Sequence, residues 1–87
     1  SLQQAIRKWK KALILYQHLG DKQWQAFILT AIGRIYDSLG DKQQALKFYN
    51  QSLPLLIEVG DKAGQALTLN NIGLVYYSMK DYSSALV

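Results

Sequence analysis

Apolar side chains recur along this chain at steps of three and four. Ala5, Trp9, Ala12, Leu13 and Tyr16 form one set, and Leu29, Ile32, Gly33, Ile35 and Tyr36 a second. Ala45, Leu46, Tyr49 and Leu53 form a third, and Leu69, Ile72, Gly73, Val75 and Tyr76 a fourth. Such steps put each set on one side of a helix, and no stretch alternates residue by residue as a half-buried strand does. The spacing predicts helices at about 2–19, 22–39, 42–58 and 62–79, with a fifth beginning near Asp81.

The breaks between these sets repeat one signal. "LGDK" spans Leu19–Lys22 and Leu39–Lys42, and "VGDK" spans Val59–Lys62. Gly20, Gly40 and Gly60 are each expected to end a helix in the left-handed conformation, where the last carbonyls are satisfied without a Cβ clash. The aspartate that follows caps the next helix, and at Asp41 the presence of Gln44 predicts a reciprocal capping box. At Asp21 and Asp61 the same offset holds Trp24 and Gly64, so their caps should be simpler. The run "MKDY" lacks the glycine and has Lys80 in its place. Links this short force consecutive helices to lie antiparallel. Pro54 removes a hydrogen bond to Asn50 and is expected to kink the third helix rather than break it.

Shifting the chain by 40 aligns "QQAIRKWKKALILYQHLGDK" with "QQALKFYNQSLPLLIEVGDK", and "QAFILTAIGRIYDSLGD" with "QALTLNNIGLVYYSMKD". The repeating unit is therefore a pair of helices, and the chain divides into 1–20 (second helix of a preceding unit), 21–60 (a complete unit) and 61–87 (a truncated following unit). A chain that starts inside one unit and stops early in another reads as a fragment of a longer array. Gly33 and Gly73 sit mid-helix, where glycine costs about 1 kcal/mol relative to alanine. They argue for close helix contact, Gly33 against the helix of Ala45 and Tyr49, and Gly73 against Ala85.

Ile32, Gly33, Tyr36, Ala45 and Tyr49 together resemble the tetratricopeptide repeat pattern, and Ile72, Gly73, Tyr76 and Ala85 match it again. Ala5, Trp9 and Ala12 look like the second helix of a preceding repeat, and Ser52 stands where the family usually has alanine. The 40-residue unit, with its "LGD" turns and "LNNIG" run, is similar to the longer-helix branch found in kinesin light chains and in bacterial and signalling scaffolds. The resemblance implies an all-α fold, an antiparallel helix-hairpin solenoid with a right-handed superhelix, whose concave face binds a protein or peptide.

On that resemblance the inner face carries Phe27, Thr30, Ala31, Arg34, Asp37 and Ser38 in one unit. In the next it carries Leu67, Asn70, Asn71, Leu74, Tyr77 and Ser78. The amides of Asn70 and Asn71 could hold the main chain of an extended peptide or bond a neighbouring helix. Arg34 and Asp37, three apart, could serve a ligand or pair with each other. Of two adjacent aromatics, Tyr76 faces the core and Tyr77 points away from it. Some family members grip a C-terminal carboxylate with a lysine clamp; Thr30 and Arg34 stand where that clamp wants lysine and asparagine, so that specificity is not expected.

Composition narrows the function further. Without cysteine and with a single histidine among 87 residues, the chain has no thiolate metal site and no imidazole cluster, so no metal or cofactor is expected. It also offers no nucleophile, base and orienting group in combination, which argues against an enzyme. His18 is placed to stabilise a helix C-terminus, and Trp24 to pack locally at the start of the second helix. The longest apolar run, "ALILY" at Ala12–Tyr16, is too short to cross a membrane, and the reading is of a cytoplasmic protein without membrane insertion. The net charge of +4 is concentrated in "RKWKK". Arg7, Lys10, Lys11 and Lys47 read as a solvated outer face; nucleic acid is not the expected partner, because Trp9 is needed in the core rather than for stacking. The alternative to a binding scaffold is self-association through open repeat ends.

Overall fold

The computed structural model describes residues 1–79, which form four α-helices: α1 (Leu2–Leu19), α2 (Lys22–Ser38), α3 (Lys42–Glu58) and α4 (Lys62–Ser78). No strand occurs among the described residues. The expected fifth helix at Asp81, the turn at Lys80 and the contact of Gly73 with Ala85 lie outside the described residues. α2 and α4 end one residue earlier than the periodicity predicts, because Leu39 and Met79 act as their C-caps.

Each turn is closed by its own backbone. Gly20, Gly40 and Gly60 have φ of 70°, 83° and 73°. Around Gly40, its N–H donates to the Asp37 carbonyl at 3.0 Å and the Asp41 N–H donates to the Tyr36 carbonyl at 2.9 Å. The same pair of bonds recurs at Gly20 and Gly60, so the helix ends are satisfied by two short-range bonds that need a left-handed residue between them. Asp21, Asp41 and Asp61 then accept from the N–H groups of Trp24, Gln44 and Gly64 at 3.0, 3.2 and 2.8 Å. The reciprocal capping box expected at Asp41 forms instead at Ser1, where Gln4 both donates its N–H and receives the terminal amine; Asp41 makes the simple cap. Asp41→Ala is expected to cost about 1 kcal/mol, read from a thermal or urea melt, with Asp41→Asn recovering most of it. A melt for Asp41→Ala that matches the parent would show that water replaces the cap at no cost. α3 runs through Pro54 without a break, as expected.

Consecutive helices pack on one another, α2 against α3 most extensively. One core joins Ile28, Leu29 and Ile32 of α2 to Phe48 of α3, with Trp9, Leu13 and Tyr16 of α1 packed on it. A second joins Ala45, Leu46 and Tyr49 of α3 to Val75 of α4. Gly33 sits where expected: a Cβ there would lie 2.7 Å from Tyr49 Cε1 and 3.3 Å from the Ala45 carbonyl oxygen. The repeat is visible in side-chain bonds as well, since Gln25 Nε2 donates to the Tyr16 carbonyl and Gln65 Nε2, forty residues on, donates to the Leu56 carbonyl.

Two expectations about the core need correction. Ser52 is more than a tolerated small residue: it is fully buried, and its hydroxyl donates to the Ala26 carbonyl at 2.9 Å while sharing a 2.8 Å bond with Thr30. Leu69, expected on an apolar helix face, is 55% exposed, whereas its counterpart Leu29 is 5% exposed. α2 lies between α1 and α3, but α4 has only α3 as an extensive neighbour among the described helices.

Candidate functional site

α2 and α4, both antiparallel to α3, run in the same direction, and side chains tie their first turns together. Gln23 Nε2 donates to Asp61 Oδ2 at 2.8 Å, and Lys22 pairs with Glu58 at the end of α3. The Gly64 N–H and the Gln23 amide, both donating to Asp61, hold its carboxyl below the ordinary range. The capping aspartate is thus also the clasp between neighbouring units.

Beside this clasp lies a cleft of about 180 Å³. Phe27 and Thr30 of α2 and Leu67 of α4 line it, over a floor that includes Ala26, Leu56 and Thr68. Phe27 is 54% exposed and Leu67 52%. Phe27 is braced from behind: its ring meets Trp24 edge-on at 5.3 Å and Trp9 at 6.0 Å, and Trp24 in turn stacks on Tyr16 at 5.4 Å. Trp24 therefore packs locally, as expected, while keeping part of its surface in solvent. Edge-to-face contacts of this kind add to burial and fix ring orientation.

The remaining inner-face residues divide into groups. Thr30 has its hydroxyl committed to Ser52. Asp37 does not pair with Arg34 but with Lys42, across the α2–α3 turn. Arg34 is exposed, without an ion pair among the described residues, and lines a separate cleft of about 290 Å³ with Trp9, Ala31, Ile35 and Ser38. Asn70, Leu74, Tyr77 and Ser78 are exposed on α4. Asn71 is half-buried, and its Nδ2 is sealed from solvent with no hydrogen-bond partner among the described residues. The structure thus gathers Phe27, Thr30 and Leu67 in one place, puts Arg34 and Ala31 in a second, and leaves Asn70, Leu74 and Tyr77 outside both clefts. Gln23, Asp61 and Gly64 also line the first cleft and were not expected there; the available signal was Gln23, one helical turn before Phe27.

Residues 1–58 match a family model described as a tetratricopeptide repeat, and residues 65–87 match another of the same description. The chain is a tetratricopeptide repeat protein. No curated protein matches it. The first match covers α1 to α3, and the second begins in the first turn of α4. Tetratricopeptide repeats are a non-catalytic scaffold for contacts between proteins, and the first helix of each repeat here supplies the exposed α2–α4 face. Among the described residues no three histidine, cysteine or acidic side chains are grouped to hold a metal ion, and no helix is long and apolar enough to cross a membrane.

Proposed function

We propose that this tetratricopeptide array binds a peptide or helix of another protein along the face formed by α2 and α4. One observation carries the reading: Phe27 and Leu67, forty residues apart and equivalent in the repeat, stand more than half exposed on either side of a single cleft. An apolar side chain of the partner would enter there, desolvating two large residues already held in place. Gln23 and Asn70 would meet main-chain groups, and Arg34 would receive a carboxylate from the segment beyond. Leu74 and Tyr77 extend the apolar contact along α4, with Asp37 and Thr30 at its edge. Affinity for one such face should be modest, because ordering both partners offsets much of the contact energy.

Titration of the intact array with peptides from proteins that co-purify with it tests this directly. Replacing Phe27, Arg34, Leu67 and Asn70 together by alanine is expected to weaken binding about tenfold or more. Unchanged binding would move the contact to another face.

A second reading, self-assembly, is favoured by the far side of α4, where Ala66 and Leu69 are exposed although Ala26 and Leu29 are buried. Light scattering across a concentration range separates the two, since an array that stays monomeric cannot be assembling through that face. The 40-residue unit and the "LNNIG" run support the finer assignment to repeats of the kinesin light chain and scaffold type, with a cytoplasmic setting.

A further inference from the structure

Five of the six carboxylates are among the described residues, and each is already engaged inside the fold. Asp21, Asp41 and Asp61 cap helices, Glu58 pairs with Lys22, and Asp37 pairs with Lys42. The cations are not balanced in the same way. Arg7, Lys8, Lys10 and Lys11 of α1 and Lys47 of α3 pair with no carboxylate among the described residues. Arg7 lies three residues before Lys10 and four before Lys11, so these side chains share one side of α1 and repel one another.

Two of these cations are held close to the same ring. Lys10 Nζ donates to the Tyr36 hydroxyl at 3.2 Å and stands 5.6 Å from the centres of both the Tyr36 and Phe48 rings. Lys47 Nζ stands 5.7 Å from the ring of Phe48, the next residue on α3. The two rings stack on each other at 5.5 Å and 15°. Cation–aromatic contacts steady the ammonium groups but leave their charge unneutralised. Next to them, a cleft of about 440 Å³ is walled by Ile6, Arg7 and Lys10 of α1, with Tyr36, Leu39 and Asp41 at the α2–α3 turn. Asp41 is engaged in its cap, and the Tyr36 hydroxyl, accepting from Lys10, keeps its own proton to donate.

We infer that this corner is a second binding surface, which takes an acidic segment of a partner protein bearing an aliphatic side chain. Carboxylates of the segment meet Arg7, Lys10 and the Tyr36 hydroxyl, with Lys11 and Lys47 widening the field, while the aliphatic group rests on Leu39 and Ile6. A nucleic acid fits less well. Phe48 is only 7% exposed and covers one face of Tyr36, so the corner presents no run of open rings on which successive bases could stack. The corner lies at the C-terminal end of α2, whereas the cleft of Phe27 and Leu67 lies at its N-terminal end, so both can be filled at once.

The test uses the intact array and a labelled peptide of alternating glutamate and leucine, followed by fluorescence anisotropy at low and at physiological salt. Binding is expected to weaken about tenfold or more in the double variant Arg7→Glu, Lys10→Glu and several-fold with added salt. A glutamine–leucine peptide of the same length should bind far more weakly, and the control variant Lys62→Gln, which removes an exposed cation outside both clefts, should leave binding of the acidic peptide unchanged. If the charge reversals unfold the array, the milder pair Arg7→Gln, Lys47→Gln decides by the same readout. Binding that ignores these substitutions overturns the inference. So does tighter binding of a single-stranded oligouridine or of phosphatidylserine vesicles than of the acidic peptide.

Discussion

Gly33→Leu is expected to destabilise the array by about 3 kcal/mol, enough to remove much of the stability of a domain this size. Even the first added carbon is too close, at 2.7 and 2.8 Å from Tyr49 Cε1 and Cδ1. The ring has little room to retreat, being 1% exposed and packed with Ala45, Leu46 and Val75. The third neighbour, the Ala45 carbonyl oxygen at 3.3 Å, belongs to the α3 backbone and can yield only if the helix moves. Gly33→Ala sets two effects against each other: a gain of about 1 kcal/mol in helix propensity and a ring that must shift. Urea melts of both variants, and of Gly33→Ala combined with Tyr49→Leu, measure the conflict. A leucine variant melting within 0.5 kcal/mol of the parent, a margin set by ordinary surface substitutions, would mean that α2 and α3 separate freely.

Raising the pH is expected to remove about 3 kcal/mol of stability through Tyr49 alone between roughly pH 10 and 12. Burial pushes the Tyr49 phenol up to about 12; the Asp37 carboxylate adds to the rise and the Arg34 guanidinium opposes it. In the unfolded chain the phenol ionises near its ordinary value of about 10. Below that pH both states keep the proton and Tyr49 contributes no pH dependence. Above it the unfolded state releases the proton first, so unfolding is favoured progressively until the folded phenol also ionises. Other groups titrate in this range, which makes the comparison with Tyr49→Phe the informative one. The difference in urea midpoint between the two proteins should change steadily above about pH 10. Parallel curves would show that the phenol is not kept neutral by the fold.

The helices, their turns and the Gly33 contact were legible in the sequence because each has a local signature. Three-and-four spacing marks a helix face, glycine before aspartate marks a turn, and a mid-helix glycine marks a neighbour too close for a side chain. What sequence reasoning missed depends on residues brought together by packing. Ser52 resembles any small core residue until α2 brings the Ala26 carbonyl within reach of its hydroxyl. Asp37 has Arg34 as its helical neighbour, yet the reversal of the chain at Gly40 delivers Lys42 to it instead. The inner face shows the same division. The repeat register marks Phe27 and Leu67 as equivalent, but only the parallel course of α2 and α4, clasped by Gln23 and Asp61, makes them two sides of one cleft.

The extensive helix contacts join chain neighbours, and each turn is closed by hydrogen bonds that span only a few residues. Such a chain needs no distant segment to find its partner before structure can form, so any hairpin can nucleate and zipping can proceed in either direction. Under tension the same locality makes the molecule a modular spring that peels hairpin by hairpin and recoils by the same steps.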